Sequence, residues 1–502
     1  MAPAALILWP LISLGFFAAL GGPRGLIWSV VIGYLFLPEN FFAVNLPLAD
    51  YDKPFAISFA AALGAVLFRE KPGPDLKVVR TPLPACMFML LAMFLFVTPI
   101  GTFLTNPETL VNGPTIRPGL SPRDALADMV KAGIAIVPLV LAWWMLRRPE
   151  HHRELLMAIL MMGLVYTFFT LFERRMAPQL NMWVYGYFPH AWLQHIRGGG
   201  YRPLVFLRHG LWLGFFLFTV LLAAIALSRD SEVRSRALMP FAAMWVMLVL
   251  LLSRNLGASM LALVFAPLLA LTTFKLQGRI ASVLAIVILT YPALHEAMEQ
   301  PMDRFLDFVS DLSAERAQSF ETRLNNETQL LDRANEKPIF GWGGWGRMRI
   351  VDETGRDVSL VDGAWIVFKG NSGWVGYLAY FGLLTFPVFF AARAARRKKI
   401  TPAIGAMMAM MAGNYLYIIP NSTINPIAYL MLGAMAAFAH YDPVQVAETE
   451  ERPEKPDRTT RYSRFAPGGS LARESAEAQG SSPHRRAVST PYSSRSRRKS
   501  GA

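Results

Sequence analysis

The sequence predicts an all-α polytopic membrane protein, and three observations carry the prediction. Apolar residues make up 54% of the 502 residues and charged residues only 17%. The apolar residues gather in blocks close to the roughly 20 residues that a bilayer-spanning helix needs. Lys and Arg fall mainly in alternate connections between those blocks, as the positive-inside rule requires of a multi-span chain.

Blocks recur near residues 5–20, 25–37, 54–68, 83–105, 125–146, 154–172 and 209–227. Further blocks lie near 237–252, 257–274, 279–294, 372–392, 402–419 and 424–440. Several are short, so about 12 to 14 spans are expected. The organisation is an N-terminal transmembrane bundle (1–292), a large outward-facing loop (293–371), C-terminal transmembrane helices (372–440) and a tail (441–502). No basic segment precedes the first block, which argues against a cleavable signal.

One set of connections is basic, through Arg69, Lys77 and Arg80, then Arg147, Arg148 and Arg153, then Arg229, Arg234 and Arg236. Its strongest member runs from Arg393 to Lys399. That side is predicted to be cytoplasmic, with the tail, while 38–54, 106–124, 173–208, 253–258 and the large loop face outward. The formal charge of +14 is accounted for by these loops and the tail, so nucleic acid is not an expected partner. The tail is rich in Ser, Pro, Arg and Glu, which predicts disorder and contact with anionic lipid headgroups. The single cysteine, Cys86, lies in an apolar block, so no intrachain disulfide forms.

The outward connections hold the chemistry. Residues 173–208 interleave Arg202, Arg208 and neighbouring histidines, including His209, with aromatic residues. Interfacial anchoring explains the aromatics, with arginines reaching headgroup phosphates. Arg202 and Arg208 at the mouth of a span equally suit bidentate phosphate recognition. Arg254, in the tight Ser253-Arg254-Asn255 connection, is expected to face the bundle interior or a wet cavity.

The large loop opens with an amphipathic pattern from Met302 to Leu312. A second helix is expected over 315–335, ending before Pro338, with Arg316, Arg323 and Glu327 near one face. The Gly341-Trp342-Gly343-Gly344-Trp345-Gly346 run reads as a flexible turn whose Trp342 and Trp345 suit sugar rings or interfacial anchoring. Its glycines would let backbone N–H groups approach phosphate, although it is not a P-loop. No metal site is expected: His190 and His195 are five apart, and His295-Glu296 lacks a second histidine.

Four blocks in order resemble the bacterial O-antigen ligase and Wzy-type O-antigen (exopolysaccharide) polymerase superfamily. They are Arg202 to Gly210, Ser253-Arg254 with Gly257-Ala258-Ser259, Arg323 through Arg333 to Gly343, and Asp362 through Gly373-Trp374-Val375-Gly376. The resemblance implies a GT-C-like fold and a cofactor-free, metal-independent inverting glycosyltransferase at the periplasmic face of the bacterial inner membrane. Its donor would be an undecaprenyl-pyrophosphate-linked oligosaccharide. Arg202 or Arg208 with Arg254 would bind the pyrophosphate, and Arg323 would assist from the loop.

Ligases of this family place a histidine in the closing block where this chain has Asp362. That departure favours a polymerase over a ligase acting on lipid A–core or protein. Asp362, Glu327 and His209 compete as general base. A lipid-linked oligosaccharide transporter is the reading from a different class. Membrane lipids are expected partners, with a chain-length regulator as a further candidate. The 323–376 stretch is then half a site, a lid folding back over Arg202, Arg208 and Arg254.

Overall fold

A computed structural model describes residues 1–69, 76–112, 114–197, 199–297, 314–359, 362–422 and 424–443; in 314–324 only the backbone is described. It is all-α, with 70% of the chain helical. Residues from Met1 into the 440s form one compact unit. The tail and the amphipathic pattern at 302–312 lie outside the described residues.

Helix α1 (Ala2–Leu20) and α2 (Gly22–Phe36) meet at Gly21, whose φ of 80° reverses the chain with no loop. Helix α3 (Lys53–Leu67) is capped by Asp52, which accepts from the Phe55 N–H. Helix α4 (Leu83–Ala92) runs through a π-turn at Met93–Val97 into α5 (Thr98–Leu104). Helix α6 (Pro122–Met145) opens on a Ser121/Asp124 capping box, and α7 is Pro149–Met176. The short α8 (Leu180–Tyr185) precedes α9 (Gly210–Ser228), α10 (Met239–Leu252), α11 (Leu256–Leu271) and α12 (Phe274–Ala297). The polar α13 (Ala314–Asn335) lies where the second loop helix is expected. Helices α14 (Ala364–Ala394), α15 (Pro402–Tyr417) and α16 (Pro426–His440) complete the bundle.

Among the described residues seven helices, including α7, α9, α12 and α14, are long and apolar enough to cross a membrane. This supports a multi-pass membrane protein; with the four shorter apolar helices also crossing, the described residues give eleven spans against the expected 12 to 14. Among the seven, α9 is the most buried, packed by α7, α10, α11 and α15.

Contacts sort the connections into two ends. At the loop-rich end, Asn40 donates to the Pro189 carbonyl, Arg123 to Pro47 and Lys337 to Thr105. At the basic end, Arg153 pairs with Asp230, and β1 (Leu76–Val78) pairs antiparallel with a strand at Tyr441–Pro443. These are the two sets of connections that the charge pattern separates.

Candidate functional site

The first part of the site is built on Glu173, in the last turn of α7. Its buried carboxylate accepts the Leu180 N–H at 3.1 Å, the Leu204 N–H at 2.9 Å and the Val205 N–H at 2.7 Å. Lys53 supports the same segment, donating to the Phe206 carbonyl (3.3 Å) and pairing with Glu39 (2.9 Å). A buried carboxylate with three backbone donors holds a loop in one conformation, because any shift strands N–H groups in a dry interior.

Upon that platform sits a two-residue hairpin that pairs Arg197 with Gly200 and Ile196 with Tyr201. The Arg202 N–H donates to the His195 carbonyl at 2.7 Å, and His195 Nδ1 lies 3.3 Å from the Arg202 carbonyl. His209 caps α9, accepting the Leu211 N–H on Nδ1 at 3.1 Å. The Arg202 stem packs on Gly210, where an added Cβ would fall 2.6 Å from Cδ. His190 joins from the preceding loop, its ring 4.7 Å from that of His209 and 5.7 Å from that of His195.

Arg254 reaches the same place from the α10–α11 turn. Its φ of 59° is left-handed, which costs a residue with a Cβ about 1–3 kcal/mol and persists only where the surroundings impose it. Buried Ser253 and Asn255 flank it and hydrogen-bond each other at 2.9 Å. The guanidinium lies against Gly200, where a Cβ would meet Nη2 at 2.7 Å. Only glycine lets that arginine approach the hairpin so closely.

A second group lies under α13. Glu327 Oε2 is 3.5 Å from His295 Nε2, and the His295 ring packs on buried Trp365 at 5.2 Å. Buried Lys369 donates to Asn335 at 2.9 Å, and Asn335 donates to Glu296 at 2.7 Å. Exposed Asp362 stands just before α14, three residues ahead of Trp365. The two groups approach through the end of α15. The Ala364 N–H donates to the Ile418 and Asn421 carbonyls, and the Tyr417 hydroxyl donates to the Leu211 carbonyl on α9.

The glycine-rich motifs turn out to be each other's partners. Helix α14 breaks at Gly373 (φ 60°), and residues 338–343 lie across the break. The Trp374 and Val375 N–H groups donate to the Pro338 and Ile339 carbonyls at 2.7 and 3.1 Å. The Trp342 and Gly343 N–H groups donate to the Gly370 and Asn371 carbonyls at 2.8 and 2.9 Å. A Cβ on Gly341 would meet the Asn371 backbone at 2.5 Å, and one on Gly373 the Ile339 carbonyl at 2.3 Å. The expected flexible turn is therefore pinned, and these N–H groups serve the broken helix rather than a phosphate.

The two tryptophans part company. Trp342 is 5% exposed, carries the Arg333 guanidinium 3.5 Å over its ring and donates to the Arg333 carbonyl at 2.6 Å. The expectation that it offers a sugar-binding face is corrected: packing with Arg333 takes that face. Trp345 is 69% exposed, has a φ of 58° and donates to Asp124 at 3.1 Å. It borders cavities of about 340 and 200 Å³, which also expose Asp124 and Lys131.

The loop is tied down beyond Trp342 as well. Lys337 and Arg347 both reach Glu108, at 2.5 and 3.1 Å. Burial alone would raise the Glu108 carboxyl, but these cations and their hydrogen bonds outweigh it and hold it below the usual carboxylate range.

The fold thus sets Arg202 on Gly210 and Arg254 on Gly200, with His209 capping α9, and leaves Arg208 exposed. Glu327 and Asp362 stand in the neighbouring group, and Arg323 lies on α13 one turn before Glu327. Glu173, His295 and Lys369 were missed in the sequence. The available signal was an ionisable residue within a mostly apolar helix, although each has a polar neighbour in Arg174, Glu296 or Asn371. By spacing, neither His190 with His195 nor His295 with Glu296 makes a metal site; the fold adds His209 to the first pair, and the three offer ligand atoms within 4.8 Å of one another. Compared with protein-family models and with characterised proteins, the chain finds no match.

Proposed function

We propose that the protein is a polysaccharide polymerase that joins lipid-pyrophosphate-linked oligosaccharide units at its loop-rich end, the periplasmic side of a bacterial inner membrane. The observation that carries the reading is Arg254, held in a left-handed turn against Gly200 beside Arg202. A membrane chain that maintains guanidiniums at a bundle mouth at a cost in backbone strain has a fixed anion to meet.

In the transfer, an acceptor sugar hydroxyl attacks the anomeric carbon of the donor. The new C–O bond forms as the bond to the pyrophosphate oxygen breaks, and the anomeric configuration inverts. The hydroxyl proton passes to a carboxylate, Asp362 or the Glu327–His295 pair, and the lipid pyrophosphate leaves with the electron pair. Arg202 and Arg254 stabilise the charge developing on it, which is where preorganised cations contribute most to rate. Exposed Arg208 flanks the path of the headgroup. Trp345 with Asp124 offers an aromatic face and a carboxylate to a bound saccharide.

The break in α14 favours a second reading, transport, because interrupted helices line carrier sites. Against it, residues 338–343 satisfy backbone groups on both sides of the break, which leaves those groups nothing to coordinate. Purified protein supplied only with lipid-linked repeat units, and no added Mg²⁺ or Mn²⁺, is expected to yield polymer. A requirement for a distinct acceptor lipid or protein would make it a ligase. Movement of the lipid across proteoliposomes without new glycosidic bonds would overturn the enzyme reading.

A further inference from the structure

We propose that His190, His195 and His209 form a binding site for a divalent transition-metal ion of the Zn²⁺ class. The three imidazoles come from separate local structures: a loop, a 3₁₀ turn and the N-cap of α9. Their ligand atoms already lie within 4.8 Å of one another. Zn–N bonds of about 2.0–2.1 Å place tetrahedral ligand nitrogens roughly 3.4 Å apart, so the rings have to draw together by up to about 1.4 Å.

The donor set selects the metal. Three neutral nitrogens suit Zn²⁺, Co²⁺ or Ni²⁺, whereas Mg²⁺ and Ca²⁺ require oxygens. His195 Nδ1 faces the Arg202 carbonyl, the outer contact that fixes a ligating imidazole and turns Nε2 toward the ion. His190 Nδ1 is buried with no hydrogen-bond partner among the described residues. His209 has Nδ1 engaged in capping α9. Exchanging or re-forming that single cap bond is a small matter beside the free energy of a metal–nitrogen set.

Arg202 and Arg254 stand close by, and their charges oppose a bare dication. An anion bridging metal and guanidinium removes that opposition, so the fourth position suits a phosphate oxygen. The site itself does not depend on the glycosyl-transfer reading.

The test uses Co²⁺ as the probe. Full-length protein in detergent is stripped with chelator and titrated while visible absorption is followed. The expected result is one Co²⁺ per chain with the intense d–d bands of low-coordinate nitrogen ligation, displaced by Zn²⁺ and untouched by Mg²⁺. His190→Ala and His195→Gln are each expected to weaken binding about 100-fold or more. His209→Asn keeps a capping oxygen and removes the imidazole, so loss of the bands there separates ligation from helix stability. Wild-type protein without the bands, variants with unchanged stoichiometry, or Mg²⁺ competing equally with Zn²⁺ would each overturn the site. Should His195→Gln fail to fold, His190→Ala on the outer loop still decides. The readout is metal absorption, so its failure is distinct from a failure to make polymer.

Discussion

The two ends of the bundle use arginine differently. At the basic end Arg229 donates to the Leu269 and Thr272 carbonyls, closing the end of α11, and Arg153 pairs with Asp230 at 2.9 Å. Those arginines neutralise helix ends and carboxylates, and their backbones take ordinary conformations. At the loop-rich end Arg254 occupies a left-handed turn, and with Arg202 it converges on glycines and histidines. The same residue type completes the fold at one end and is held at a cost at the other. That coincidence of strain and charge is the ground for the proposed anion site.

Substitutions at the two ends break or sharpen that contrast. The largest effect is expected at Arg254→Ala: a loss of about 100-fold or more in polymer formed, at unchanged abundance in the membrane. Arg229→Ala is the matched control. It should lower thermal stability while activity per folded molecule stays near wild type. Chain length on gels beside immunoblots of membranes decides both, and normal polymer from Arg254→Ala would remove the anion site.

Next comes Glu173→Ala, which strips the Leu204 and Val205 N–H groups of their acceptor. A stability loss of about 3 kcal/mol is expected, seen as a lower unfolding midpoint in detergent. An unchanged midpoint would mean that the platform beneath Arg202 is not held by this carboxylate.

A smaller effect concerns pH. Because Glu108 is held below the usual carboxylate range, its contribution is present above the unfolded-state value and lost as pH falls through the folded one. Docking of residues 337–349 should therefore be constant from neutral pH down to about 5 and loosen only in stronger acid. Protease sensitivity of that segment measures it, and Glu108→Gln should be looser and nearly flat across the range.

The smallest effect separates the tryptophans. Trp345→Ala should weaken acceptor use severalfold with little change in stability, whereas Trp342→Ala should destabilise the loop. Equal stability losses in both would place Trp345 in packing rather than recognition. Raising acceptor concentration should rescue Trp345→Ala alone.

Much of the helical framework was legible in order, because apolar block length is a local property. The 315–335 pattern became α13, ending at Asn335 three residues before Pro338. The start of α14 was not legible: it begins at Ala364, ahead of the loop boundary read at 371. Lys369, Asn371 and Ser372 depress local hydropathy there. Lys369 is satisfied by Asn335, and the backbone at Gly370 and Asn371 by residues 342–343, all distant in sequence. The histidine trio escaped for the same reason, since His209 lies 14 residues beyond His195 and only the hairpin closes the gap.

The sequence by itself determined the all-α membrane class, the two chemically distinct ends and the arginines worth watching. Those follow from composition and from charges placed between apolar blocks, which act over one helix length. Only the tertiary structure decided what the motifs are for. It joined Pro338–Gly343 to the break at Gly373, gave Trp342 to Arg333, and set Arg254 against Gly200 beside three histidines. Those pairings depend on backbone approach and buried hydrogen bonds between segments far apart in the chain, which no local pattern encodes.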